Sequence, residues 1–346
     1  MAVSFKSIKT TTRRINPLKD FTLEDVPLEI RYDPLTGRSG RVLDTGFNVS
    51  EKPNLSPIIE KSKEIFCPFC PETLEKSTPL FPEDLLPEGR VQVGEATLIP
   101  NLLPLDKYPG VSIFSHQHYI PLDKFTPDVM RDAFSAALIF IQRVLEFDPD
   151  VGHCYINWNY MPPAGSSLVH PHLQVNCGET ATNQHREQLE GCKRYNKAHG
   201  TNFWHDFMEQ EITLKSRYIG EIGPVFWSLS FVPNGYLPDV LFIFPDHKTV
   251  AQLDESSLLA FLKGLSRILL YFHSENIFSF NMSLFSVRED AHFRLNGRVT
   301  PRLLTRDIGN SDRTYSQVMH QETYSVIPPE SVCRKVNRIF FKGALS

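Results

Sequence analysis

The sequence predicts an α+β fold of two related halves, each an antiparallel sheet with a long helix. Three observations predict it. Two runs with apolar residues at helical spacing, Met130 to Leu145 and Leu258 to Phe272, are each flanked by strand-like alternation. Ahead of the first, Ile-Phe-Ser-His-Gln-His118 parallels Phe-Ile-Phe-Pro-Asp-His247 ahead of the second. After the first, His170-Pro-His172-Leu-Gln174 parallels His292-Phe-Arg294-Leu-Asn296 after the second. A repeat of this length is a tandem domain, not a solenoid.

Residues 1–28 are polar and read as a weakly ordered N-terminal extension. Arg31-Tyr-Asp-Pro-Leu-Thr-Gly37 places Pro34 and Gly37 in a turn, followed by a short strand at Arg41 to Leu43. Residues 50–64 read as loop, and the Pro-rich stretch Pro71 to Pro87 as irregular surface chain. Strands are expected at Val91 to Ile99 and Val111 to Ser115. Thr126-Pro127-Asp128 supplies a capping hydroxyl, a first-turn proline and a carboxylate at the positive dipole end, so a helix starts there and runs to about Phe147. Residues 153–159 and Val169 to Asn176 read as strands around a Pro/Gly/Ser loop. In the second half, strands are expected at Phe226 to Val232 and Val240 to Phe244, then a helix capped by Asp254, then strands at Phe278 to Val287 and Ala291 to Val299. The charged run His185 to Arg194 reads as a solvated face. The three units are therefore 1–28, 29–180 and 181–346.

Composition excludes several classes. Hydrophobic residues make up 41% and charged residues 22% of the 346, which rules out a mainly disordered or fibrous chain. A net charge of −4 leaves no basic footprint for nucleic acid. The longest apolar run, Ala136 to Ile141, is far shorter than a membrane span needs. The basic N-terminus lacks the apolar core of a secretory signal. Six cysteines in this length make no disulfide scaffold, so the expected compartment is a reducing cytosol.

Two constellations carry chemistry. Cys67-Pro-Phe-Cys70 holds two thiols in one tight turn, the spacing of half a tetrahedral zinc site or of a redox pair. His170-Pro-His172-Leu-Gln174 on an extended chain puts two imidazoles and a carboxamide on one face, with Pro171, Leu173 and Val175 opposite. Such a face needs partners if it is only structural. It suits phosphate chemistry: a neutral imidazole is a nucleophile toward an activated phosphate, and Gln174 can donate to its oxygens. In the preceding loop Gly165 permits close backbone approach, Ser166 and Ser167 offer hydroxyls, and Asn159 an amide.

At these residues the chain resembles the galactose-1-phosphate uridylyltransferase family of histidine-triad nucleotide transferases. The likeness extends through Arg31 to Gly37, Cys67 to Cys70, the segment from Asn101 to Tyr108, Phe114 to His118, and Asn159 to Gln174. It implies two histidine-triad-like halves, the second degenerate. It also implies zinc held by Cys67, Cys70, His118 and His170, with His116 the rival to His118. His172 would be the nucleophile that takes a nucleoside monophosphate from a nucleotide sugar, and Gln174 would bond the phosphoryl oxygen. Asn101, Asn159, Gly165, Ser166 and Ser167 would contact the nucleotide and its phosphates. The acceptor would be a sugar 1-phosphate or another phosphate, as in galactose metabolism, and a homodimer is the expected assembly. A phosphorylase acting on a nucleotide sugar or dinucleoside polyphosphate, and a non-catalytic zinc-stabilised nucleotide-binding protein, are the alternatives. Arg41 to Phe47 lacks the family's basic residues, no second metal is expected, and Val318 and Tyr324 replace the hexose-recognising acidic and amide positions.

Overall fold

The structure, a computed structural model, describes residues 3–47, 49, 54–303 and 311–342. The polar N-terminus is ordered, contrary to expectation. Strand β1 (Ser7–Asn16) pairs along its whole length with β2 (Thr22–Tyr32), from Ser7↔Arg31 to Asn16↔Thr22. Asn16 Oδ1 accepts from Leu18 N at 2.9 Å at the turn, and Arg13–Asp25 and Arg14–Glu24 pair across the strands. The hairpin has no buried face until β3 (Ser39–Leu43) joins it. Without that face the usual hydrophobic signal of a strand is missing, and only the β-branched threonines and the cross-strand charges carry it.

Two further segments fold more regularly than expected. Helix α1 (Ser56–Glu64) and helix α2 (Pro71–Ser77) each carry proline in their first turn. Proline there substitutes for an amide that would have no partner, so it starts a helix instead of excluding one. Positions 50–53 of the expected loop lie outside the described residues.

The first half continues through β4 (Val91–Val93), β5 (Ala96–Pro100), β6 (Tyr108–Ile113), α3 (Pro127–Phe147), β7 (His153–Tyr160) and β8 (His172–Gly178). Thr126 Oγ1 caps α3 by accepting from Val129 N at 3.3 Å. Helices α4 (Asn183–His199) and α5 (Phe203–Leu214) then lead to β9 (Tyr218–Ile222), β10 (Val225–Leu229), β11 (Val240–Ile243), α6 (Glu255–Ser274), β12 (Ser279–Val287) and β13 (Asn296–Arg302). The expected cap of α6 is present, with Asp254 accepting from Ser257 N at 2.7 Å. Helix α4 corrects the reading of His185 to Arg194 as a solvated face, because His185, Gln188, Gly191 and Cys192 are buried.

Strands β4 to β13 form one sheet in the order β4-β5-β6-β8-β7-β12-β13-β11-β10-β9. Read outward from the central β7–β12 pair, both sides carry the same connectivity. The Asn157↔Ser283 pair lies on the dyad, because Asn157 pairs on with Gln174 just as Ser283 pairs on with Arg298. This register corrects the internal alignment by two residues: His172 corresponds to Asn296 and Gln174 to Arg298. The matching bonds Phe114 N to Pro171 O and Phe244 N to Leu295 O fix the same offset.

One face of this sheet packs on α3 and α6. Trp158, Leu173, Val175, Phe280 and Leu284 are almost wholly buried there, each contributing about 1.5–3 kcal/mol of transfer free energy or more. The opposite face carries the polar residues described below. At the C-terminus, α7 (Tyr315–Met319), β14 (Thr323–Ser325) and α8 (Pro329–Lys342) close the chain, with β14 parallel to β3. Val318 is exposed on α7. Among the described residues no helix is long and apolar enough to cross a membrane.

Candidate active site and metal centre

Strand β8 begins at His172, beside the end of β6 and the loop that carries His118. Cys67 and Cys70 reach the same place from the turn ahead of α2. One ligand atom from each of Cys67, Cys70, His118 and His170 lies within 4.8 Å of the others. His116 is outside this group. Cys70 Sγ is 3.3 Å from His118 Nδ1, and the two thiols are 3.7 and 3.8 Å from His170 Nδ1. A tetrahedral ion with Zn–S of about 2.3 Å and Zn–N of about 2.0 Å requires S···N edges of about 3.5 Å.

The outer contacts suit the same purpose. His170 Nε2 lies 2.8 Å from the Ser115 carbonyl oxygen, which only accepts, so Nε2 carries the proton and Nδ1 keeps its lone pair. His118 Nε2 lies 3.0 Å from Ser62 Oγ. Burial holds the His170 imidazole down at about 4, and burial beside Cys67 pushes the Cys70 thiol up to about 11. Neutral imidazoles are ready donors, and a bound cation reverses the penalty on the thiolates. The donor set therefore fits a metal such as zinc.

His172 is not in that cluster. Its Nδ1 is 2.8 Å from the His170 carbonyl oxygen, so Nδ1 carries the proton and Nε2 has the free lone pair. Burial lowers its pKa, and the Phe69 ring stands edge-on at 5.2 Å. Leu173 points into the core and is fully buried, so packing determines its size. Beside His172, the register Gln174↔Asn157↔Ser283↔Arg298 sets four half-buried polar residues in a row across four strands. At about 4.8 Å per strand the row spans roughly 14 Å. Ser283 Oγ donates to Asn157 Oδ1 at 2.7 Å, and Asn157 Nδ2 donates to the Gln174 carbonyl at 3.3 Å.

The loop residues divide. Gly165 adopts φ +86° with no atom within 4 Å of a Cβ built on it, which leaves the backbone approachable. Asn159 Oδ1 accepts from Asn281 Nδ2 at 2.7 Å, leaving its own amide N–H groups for other partners. Ser166 Oγ donates to the Leu168 carbonyl at 2.6 Å and so shapes the loop, while Ser167 is exposed. Asn101 follows β5 directly and its side chain accepts from Leu103 N at 3.0 Å. Sequence reading missed Asn157, Ser283, Arg298 and Asn281. Asn157 shares a strand face with Asn159, two residues on; the signal for Ser283, Arg298 and Asn281 is the pairing of the two halves, which a linear motif does not contain.

The comparisons agree with this architecture. No family model matches the chain. An uncharacterized protein of Archaeoglobus fulgidus is 30% identical over 325 residues, covering 92% of this chain and 94% of its own. Among solved structures, a GalT-like protein of Arabidopsis thaliana aligns with a TM-score of 0.68 at 18% identity, over 90% of this chain and 98% of that one. An ADP-glucose phosphorylase of Arabidopsis thaliana, solved with ADP-glucose, aligns at 0.69 and 17% over the same shares. A uridylyltransferase aligns at 0.65 and 17%, again over 90% and 98%. The fold is that of the GalT-like structures.

Proposed function

The chain belongs to the same family as the Archaeoglobus fulgidus protein, and on that premise we propose that it is a nucleotidyl-transferring enzyme with His172 as nucleophile. The observation that carries the reading is the bond from His172 Nδ1 to the His170 carbonyl, which leaves the free lone pair on Nε2, on the same strand as Gln174. Nε2 attacks the α-phosphorus of a nucleotide sugar. An N–P bond forms, the P–O bond to the sugar phosphate breaks, and the leaving phosphate keeps that electron pair. A phosphate-bearing acceptor then attacks the nucleotidyl-histidine and returns the pair to Nε2. Gln174 donates to the phosphoryl oxygen as charge develops, and Asn159, the open backbone at Gly165 and the Ser167 hydroxyl face the phosphates. Asn101 lies on the nucleotide side.

Cys67, Cys70, His118 and His170 would hold zinc, and a closed Cys2His2 set supplies structure to the active strand, not a reacting position. The acceptor is a sugar 1-phosphate or inorganic phosphate. The second possibility, a phosphorylase, gains support from the likeness in fold to an ADP-glucose phosphorylase. A dinucleoside polyphosphate is the further donor to try. The setting is the cytoplasm and the assembly a homodimer.

Intact-protein mass spectrometry with UDP-glucose or ADP-glucose, without acceptor, tests this. An acid-labile UMP or AMP adduct mapping to His172 is expected. Folded, zinc-loaded protein that forms no adduct with any donor would favour the non-catalytic nucleotide-binding alternative.

A further inference from the structure

The dyad that relates the two halves places a second site opposite the first. At the position of His172 stands Asn296, fully buried. Its side chain makes the same bond: Asn296 Nδ2 donates to the Arg294 carbonyl two residues back at 2.9 Å, as His172 Nδ1 does to His170 at 2.8 Å. The shape is kept and the chemistry is lost, because an amide offers no nucleophilic nitrogen. Asn296 Oδ1 is buried with no partner among the described residues, and Nδ2 lies 3.4 Å from Gln188 Oε1.

Gln188 lines a cleft open to solvent, with about 70 Å³ of room inside it and about 800 Å³ of empty space once the open mouth is counted. Phe203, Trp204 and Phe207 from α5 form one wall, and Leu241 on β11 lies opposite on the sheet. Much of the rest of the lining is polar: the Gln184, Gln188, Asn234 and Gln321 amides, hydroxyl side chains such as Thr36 and Ser230, and two carboxylates, Asp33 and Glu187, beside two guanidinium groups. Both guanidinium groups are neutralised, Arg298 by buried Asp239 at 3.2 Å and Arg38 by Glu187. No surplus positive charge remains for a phosphate. An aromatic wall facing balanced charges and several amide and hydroxyl groups suits a flat, uncharged, hydrogen-bonding ligand.

We propose that this cavity is a second, non-catalytic binding site for a neutral planar heterocycle of the nucleoside class. The nucleoside class rests on the reading of the first half as a nucleotidyl site; the cavity and its charge balance do not. Isothermal titration of the full chain with adenosine and with uridine tests it, using Gln184→Trp, which fills the mouth, and Asn234→Leu, which removes an amide. Nucleoside binding that weakens at least tenfold in both variants is expected, with donor-derived labelling of His172 measured in parallel and unchanged. Unaltered nucleoside affinity in both variants, or no binding at millimolar nucleoside, would overturn the proposal. Because binding and labelling are separate readouts, a chain that never labels His172 can still bind at the cavity, and the two failures remain distinguishable.

Discussion

His170 belongs to two groupings at once: its ring lies in the thiol cluster, and its carbonyl accepts from His172 Nδ1 at 2.8 Å. The proposed metal ligation and nucleophile alignment would thus fall on two groups of one residue, its ring and its carbonyl. His172→Asn should abolish covalent nucleotide capture, a loss of at least a thousandfold in turnover, with zinc content by plasma mass spectrometry unchanged. Turnover retained in this variant would end the assignment of the nucleophile.

Cys67→Ser should behave differently. Metal-binding free energy is also folding free energy, so zinc content should fall below half and the melting temperature should drop by several degrees. A chelator should reproduce the shift in the wild type and add little in the variant. Equal zinc content in the two proteins would remove Cys67 from the ligand set.

Glu330 at the start of α8 bridges Arg31 from β2 and Arg217 near α5, each at 2.9 Å, and both guanidinium groups lie against Phe231. The arginines are buried, so removing the shared carboxylate leaves charge poorly compensated. Glu29 and Glu211 still pair with them. Glu330→Gln should therefore cost about 2–3 kcal/mol, below the ~3–5 of an unshared buried pair, read as a lower urea midpoint at constant slope. A cost under about 0.5 kcal/mol would put this network at the level of a surface pair.

Glu211, wholly buried on α5, gives a pH signature. Burial pushes its carboxyl up to about 7 against the opposing pull of Arg217, and its Oε2 has no partner among the described residues. A folded value above the unfolded one means that the folded state holds the proton more tightly. The stabilisation is complete below about pH 4.3, the unfolded glutamate value, and is lost as pH rises through about 7. Glu211→Gln should flatten the decline in urea midpoint between pH 5 and pH 8. The same slope in variant and wild type would assign the decline to another group.

Gly297 occupies the place of Leu173 in the second half. A Cβ there would lie 2.2 Å from the Ser283 carbonyl oxygen and 2.3 Å from the Phe242 ring. Gly297→Ala should destabilise by about 1–3 kcal/mol through overpacking, measurable by thermal melting. An unchanged melting temperature would show that β12 and Phe242 yield easily.

The long helices were legible because a 21-residue segment with Met130, Phe134, Ala137, Ile141 and Val144 on one face has few alternative structures. The grouping of Cys67, Cys70, His118 and His170 was legible through motif resemblance, since Cys-x-x-Cys and His-x-His fix local spacing; the role proposed for His172 rests on the same resemblance. The N-terminal hairpin was not, because Ser7–Asn16 has no apolar face to give it away. Nor was the true register of the two halves, which a one-dimensional match of histidines set two residues off. Ser283 and Arg298 join Asn157 and Gln174 only through the Asn157↔Ser283 pairing, which spans 126 residues of chain. The chain by itself determined which side chains could act, because residue type and local spacing are properties of one dimension. Which of them share a face, and that Asn296 stands where a second nucleophile would, were decided by strand pairing across the dyad.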